Sequence, residues 1–193
     1  MVNVTKTATY TGHRDCIYDI EKSLSSNLFF TSSGDGMIVK WDLNNPDQGE
    51  LFAKVDASVY ALAYVPAKDV LLIGQNFKGI HVIDLQTKEE VRFIQFTDAA
   101  IFSILTAGNK IFAATGDGKV YVFSDNLELE RIIYDSDRSA RCLAYNFHLG
   151  HLAVGYSDNS VRIYSEDGPL VQIPAHSNSV FSLVYSPDGT ELI

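Results

Sequence analysis

The sequence predicts an all-β fold, made of sheets of four short antiparallel strands arrayed around an axis. Three observations predict it. The run Ser33-Gly34-Asp35-Gly36-Met37-Ile38-Val39-Lys40-Trp41-Asp42 returns in weakened form, so that Trp41, Ile83, Phe123 and Tyr164 occupy matching positions 42, 40 and 41 residues apart. A period that regular marks a unit whose length is fixed by its own strands and turns, because a free connection would have drifted. Within each unit, runs rich in β-branched and aromatic residues alternate with clusters of Gly, Asn, Asp, Ser and Pro, the residues that turns require. Some runs, such as Val70-Leu71-Leu72-Ile73, are apolar throughout, as strands are when both faces of their sheet are covered.

The elements follow in order. The first unit places strands at Ile17 to Glu21, Leu28 to Ser32, Ile38 to Asp42 and Glu50 to Val55, broken by Ser23-Leu24-Ser25-Ser26-Asn27, Gly34-Asp35-Gly36 and Asn44-Asn45-Pro46-Asp47. The second places them at Val59 to Tyr64, Val70 to Gln75, Gly79 to Asp84 and Glu90 to Gln95. The third gives Ile101 to Thr106, Lys110 to Thr115, Lys119 to Ser124 and Glu128 to Tyr134. The fourth gives Ala140 to Tyr145, His151 to Tyr156, Ser160 to Ser165 and Leu170 to Pro174. A further first strand is expected at Val180 to Tyr185, before the turn Ser186-Pro187-Asp188-Gly189, and no helix is expected anywhere.

Composition narrows the function. With 193 residues, 46% hydrophobic and 20% charged, the chain has the material for a packed core. Its net charge of −9 opposes attraction to nucleic acid or to an anionic membrane, and no Lys and Arg cluster offsets it. The N-terminus lacks a signal-peptide core and no apolar stretch is long enough to cross a bilayer, so a soluble cytoplasmic protein is expected. Cys16 and Cys142 lie three units apart, outside any Cys-x-x-Cys pair, which opposes both a disulfide and a reactive thiolate. His148 and His151 lack a third ligand, the Asp-Gly turns lack calcium-loop spacing, and neither a Gly-x-Ser-x-Gly elbow nor a phosphate-binding glycine loop is present, so no metal or cofactor is expected.

Gly12-His13 opens the first unit, Trp41-Asp42 ends its third strand, and Ala175-His176 repeats the opening 163 residues later, close to four periods. On these residues the chain resembles the WD40-repeat family. The resemblance implies a WD40-type β-propeller of four-stranded antiparallel blades, seven when complete, needing roughly 290 residues. The units then read as one domain over 1–193, with blades at about 11–55, 56–96, 97–135 and 136–174 and part of a fifth at 175–193. In this family the strand before the first Gly-His completes the last blade, and Val4 to Tyr10, within residues 3–10, is its counterpart. The expectation is the N-terminal part of a longer propeller. The alternative is a short chain that closes by self-association with a second copy, since an open end exposes sheet edges and an apolar face.

The resemblance also implies a hydrogen-bonded tetrad in the first blade, His13, Thr31, Asp35 and Trp41. Later blades depart from it. The His position becomes Val55, Thr97 and Ser136; the hydroxyl position becomes Ile73, Ala113 and Val154; the Asp position is Phe77, Asp117 and Asp158. Apolar packing is expected to replace the lost members, because a half-satisfied buried network is worse than none, with Asp117 and Asp158 capping their turns. WD40 proteins commonly hold partners on the face carrying these turns, through the residue five after the His position. That position reads Tyr18, Tyr60, Phe102, Arg141 and Phe181, and the position two before it reads Cys16, Ser58, Ala100, Ser139 and Ser179, all small. Aromatics and Arg are the composition of interface anchors. The expected function is a non-enzymatic scaffold that presents a rigid face to protein or peptide partners. The alternative is an enzyme with a channel-mouth site or a catalytic domain after residue 193.

Overall fold

A computed structural model describes residues 3–193. Its strands fall where the turn residues leave room for them, in four antiparallel four-stranded sheets, each a meander in chain order. The first sheet comprises β1 (Ile17–Lys22), β2 (Leu28–Ser33), β3 (Met37–Asp42) and β4 (Glu50–Lys54). The second comprises β5 (Val59–Val65), β6 (Val70–Gln75), β7 (Gly79–Asp84) and β8 (Glu90–Gln95), the third β9 (Ile101–Ala107), β10 (Lys110–Thr115), β11 (Lys119–Ser124) and β12 (Leu129–Tyr134). The fourth holds β13 (Ala140–Asn146), β14 (His151–Tyr156), β15 (Ser160–Ser165) and β16 (Gly168–Pro174). One helical piece departs from the strand-only expectation: a 3-10 turn at Pro66–Lys68, begun by a proline whose φ is preset and ended by Asp69 in the left-handed region.

The core lies between sheets rather than within them. In β6, Leu71 and Ile73 face the first sheet and pack with Phe30, Ile38 and Phe52, whereas Val70 and Leu72 face the third and pack with Ile101, Ile104 and Phe123. In β14, Leu152 and Val154 pack with Phe112 and Val120 of the third sheet, whereas Ala153 lies in the cluster holding Val180. Side chains that alternate along a strand therefore serve two different cores, which explains why these strands read as continuous apolar runs. The first strands β1, β5, β9 and β13 touch in succession, so they form the inner row about which the sheets are arrayed.

Two expected strands are absent among the described residues. Residues 3–10 form no strand; Tyr10 instead lies edge-on to Phe29 and Trp41, with centroids 5.2 and 5.4 Å away. The segment thus packs on the first sheet through side chains and joins no ladder. Val180 to Tyr185 likewise forms only an isolated bridge, Tyr185 to Leu192, closed by paired hydrogen bonds between Val184 and Ile193. Among the described residues no helix is long and apolar enough to cross a membrane.

Candidate functional site

The first-blade polar group is assembled from the segment before β1, from β2 and β3, and from the turn between those two strands. Trp41 Nε1 donates to Thr31 Oγ1 at 2.8 Å, the Thr31 hydroxyl meets His13 Nε2 at 2.7 Å, and His13 Nδ1 donates to Asp35 at 3.3 Å. Asp35 also accepts the backbone N–H groups of Arg14 and Met37, at 2.7 and 2.9 Å, which fixes the Gly34-Asp35-Gly36 turn against the entry to β1. Burial alone would raise the Asp35 carboxyl; those N–H groups and His13 outweigh it and hold its pKa below the ordinary value. The arrangement is a structural lock: every polar atom has a partner, and no nucleophile takes part. Asp35→Ala is expected to cost about 1–3 kcal/mol, because it strands His13 and two backbone donors. Asp117→Ala, which strands Thr115 and the half-exposed Lys119, costs less. Equal losses in matched urea curves would contradict this ranking.

In the later blades the lock is rebuilt rather than simply packed over. Asp117 accepts Thr115 Oγ1 at 2.6 Å and Lys119 Nζ at 2.5 Å. Asp158 accepts Ser136 Oγ at 3.3 Å, the Ser160 N–H at 3.1 Å and Arg162 Nη2 at 2.8 Å, while the buried hydroxyls of Tyr156 and Tyr164 meet at 3.2 Å. The turn cap expected at Asp158 is present, but a cation on the third strand has joined each acid. In the second blade Ile73 and Ile83 do fill the space with apolar contacts. Phe77 does not: it is 62% exposed, with φ of 66°, a backbone region that bulky residues rarely enter. Its N–H donates to the Ala99 carbonyl of the next blade, which holds the turn in that conformation.

The five aligned positions Tyr18, Tyr60, Phe102, Arg141 and Phe181 form one row. In every inner strand the register slips by one residue at this point. Ile17 and Asp19 face Ser33 and Ser32, Val59 and Ala61 face Gln75 and Gly74, and the same step occurs around Phe102 and Arg141. Tyr18, Tyr60, Phe102 and Arg141 are therefore each the extra residue of a β-bulge, left out of the ladder and re-aimed, whereas Phe181 continues the row from a segment outside any strand. Tyr18 meets Tyr60 edge-on at 4.5 Å, Tyr60 stacks on Phe102 at 5.7 Å and 3° between planes, and the Arg141 guanidinium lies 4.1 Å from the Phe102 ring and 5.4 Å from Phe181. Gly34 and Gly116 leave the rings room, since a Cβ on either would stand 3.3 Å from Tyr18 or Phe102. Tyr18 and Phe181 are exposed at the two ends, and Phe77 lies on the same turn-bearing face.

The small residues two positions earlier also have a task. Ser58, Ser139 and Ser179 donate to the carbonyls of Gly34, Gly116 and Ser157, each in the preceding blade. Ala100 cannot, and there Asn76 Oδ1 accepts the Ile101 N–H at 2.8 Å instead. The face is thus held blade to blade by hydrogen bonds just beneath the rings. Cys16 is exposed and Cys142 buried, both as free thiols; burial raises the Cys142 thiol to about 11, which keeps it unreactive at neutral pH. His148 Nε2 donates to the Pro187 carbonyl at 3.3 Å.

Two carboxylates of β1 were not singled out in the sequence. Asp19 accepts the Leu62 N–H at 2.7 Å and Glu21 the Tyr64 N–H at 3.2 Å, so they satisfy the free edge of β5 from the neighbouring blade. Burial pushes the Glu21 carboxyl up to about 7, against the opposing Tyr64 N–H and with Asp19 adding to the rise. A raised acid favours the folded state most when protonated. Its contribution is complete below about 4.5 and is lost as pH climbs through about 7. The wild-type protein should therefore lose about 1–2 kcal/mol between pH 5 and pH 8 relative to Glu21→Gln, after discounting for solvent screening. Parallel pH dependence of the two urea midpoints would show that burial does not set this group.

The comparisons agree with this geometry. The family model "WD domain, G-beta repeat" matches residues 4–42, the stretch that carries the complete lock. The chain is 21% identical over 165 residues to the WD repeat-containing protein SL1-17 of Schistosoma mansoni, covering 84% of this chain and 55% of that protein. It is 24% identical over 177 residues to the ciliary WD repeat-containing protein ctxp80 of Euplotoides octocarinatus, covering 85% of this chain and 21% of that protein. Among solved structures, the WD40 β-propeller domain of Doa1 superposes with a TM-score of 0.83 at 16% identity, over 94% of this chain and 62% of that chain. Sheet order, interblade cores and the Gly-His to Trp-Asp lock agree with these matches: the fold is that of a WD40-type β-propeller, and residues 4–42 carry a WD repeat.

Proposed function

We propose that the chain is a non-enzymatic interaction scaffold whose turn-bearing face takes protein or peptide partners on the row Tyr18, Tyr60, Phe102, Arg141 and Phe181, with Phe77 beside it. The observation that carries the reading is the continuity of the row. Its members come from five successive repeat units and touch in sequence, whereas rings placed only to fill the core would be buried. Large, flat, half-exposed rings on a rigid base are what binding hot spots are made of. The WD40 fold is typically an interaction platform, which supports the reading further. The inner-strand acids whose titration is raised, Asp19 and Glu21, are each engaged by a β5 backbone N–H, which favours a structural role over an acid–base one. The test is selection of displayed random peptides on the chain, followed by measurement of the selected peptides against Tyr60→Ala and Phe102→Ala. Unchanged affinities, with the unfolding curves intact, would overturn the proposal.

A further inference from the structure

Arg141 takes, in the fourth blade, the bulged position that is aromatic in its neighbours. Its flat guanidinium is enclosed by Phe102 on one side and Phe181 on the other, at 4.1 and 5.4 Å. Its Nε is buried with no hydrogen-bond partner, and among the described residues no carboxylate or carbonyl bonds to the guanidinium at all. Arg162 also has a buried, unpartnered Nε and lies over Tyr156 at 4.6 Å, but its two terminal nitrogens bond to Asp158 and to the Asp135 carbonyl, which those of Arg141 do not match. Arg92 bonds to Glu128 and to the Asn126 carbonyl, and Arg131 to the Glu166 carbonyl. A cation pressed between rings is partly dehydrated, and its planar fork of donors matches the two oxygens of a carboxylate.

Resting on the reading that this row is the docking face, we infer that the docked segment is a peptide stretch that presents one Asp or Glu side chain to Arg141, with apolar side chains on either side of it. The flanking apolar groups lie on Phe102 and on the exposed rings of Phe181 and Tyr18. A single unpaired guanidinium balances a single negative charge. On this face the exposed Asp15, Asp98 and Asp137 are matched by the exposed Arg14, Lys78 and Arg138, so the second charge of a phosphate would meet only the field of a chain of net charge −9, and one guanidinium favours the single charge of a carboxylate.

Peptides selected on the whole chain from a displayed random library are synthesised in three forms, with the acid, its amide and phosphoserine at the enriched position. The acid is expected to bind about tenfold to a hundredfold more tightly than the amide and at least as tightly as phosphoserine. In Arg141→Gln the difference between acid and amide should vanish. Arg141→Lys, which keeps charge but loses the fork, should retain part of it, and it serves as the test where Arg141→Gln alters the unfolding curve. No enriched acid, an acid-to-amide difference that survives in the variant, or a clear preference for phosphoserine overturns the inference. If Tyr60→Ala weakens binding while acid and amide bind alike, the docking face stands and only the carboxylate is wrong. If neither Tyr60→Ala nor Phe102→Ala weakens it, or no peptide is selected, both fail.

Discussion

Replacing Trp41 by alanine is expected to cost about 3–5 kcal/mol, the largest loss of any single substitution in the first blade. The indole is 2% exposed on the face of the sheet that no described blade covers, and the chain closes over it with what is at hand. Tyr10 packs edge-on against it, while Gly12 and Gly49 lie against the ring so closely that a Cβ on Gly49 would stand 2.5 Å from it. Truncation opens a ring-sized cavity beneath the segment that carries Tyr10 and Gly12, and it also removes the donor to Thr31. Trp41→Phe separates the two effects. It keeps most of the volume and loses only the N–H, so about 1–3 kcal/mol is expected. Urea unfolding of the three proteins measures both, and an alanine loss no greater than that of phenylalanine would place the stabilisation in the hydrogen bond alone.

The second large effect is on binding. Tyr60→Ala or Phe102→Ala should weaken a selected peptide by about 30-fold or more, corresponding to about 2 kcal/mol at a central anchor. Both residues stand in the middle of the row, where each supports a neighbour on either side, and both are bulge residues whose loss leaves the strand ladder intact. Phe77→Gly provides the sharper contrast. Glycine tolerates the φ of 66° that phenylalanine holds under strain, so the variant should be more stable by up to about 1 kcal/mol, yet bind less well. A variant that is both more stable and weaker in binding separates recognition from folding. Phe77→Gly that binds as wild type would remove Phe77 from the face while leaving the row untouched.

The architecture was legible because it is repetitive. Turn residues at fixed spacing located all sixteen described strands to within about two residues, and the uninterrupted apolar run of β6 announced a sheet covered on both faces. The row of five positions was legible for the same reason, since a shared offset from the His position survives even where the His is lost. What was not legible depends on contacts between units. A one-residue register slip leaves no trace in composition, so the bulges that aim Tyr18 and its counterparts were invisible. Lys119 and Arg162 lie two and four residues beyond their aspartates and read as ordinary strand charges. Asn76 supplies an acceptor because Ala100, twenty-four residues later, lacks a hydroxyl. Phe77 was expected to pack where an aspartate had been, and only the backbone shows it turned outward. At 3–10 and 180–185 the sequence carries a strand pattern, yet no ladder of strand length forms on it.

The bulge in each inner strand has a consequence for how such a surface can change. The residue it displaces makes no pairing with the next strand, so Tyr, Phe or Arg can stand there without a backbone hydrogen bond being gained or lost. The positions on either side, Val59 and Ala61 or Ile101 and Ser103, keep the register, and Val59, Ala61 and Ile101 are buried. On the proposed reading of the row, partner preference and architecture are thus written on different residues of one short strand. Selection can revise the first, one blade at a time, without reopening the second.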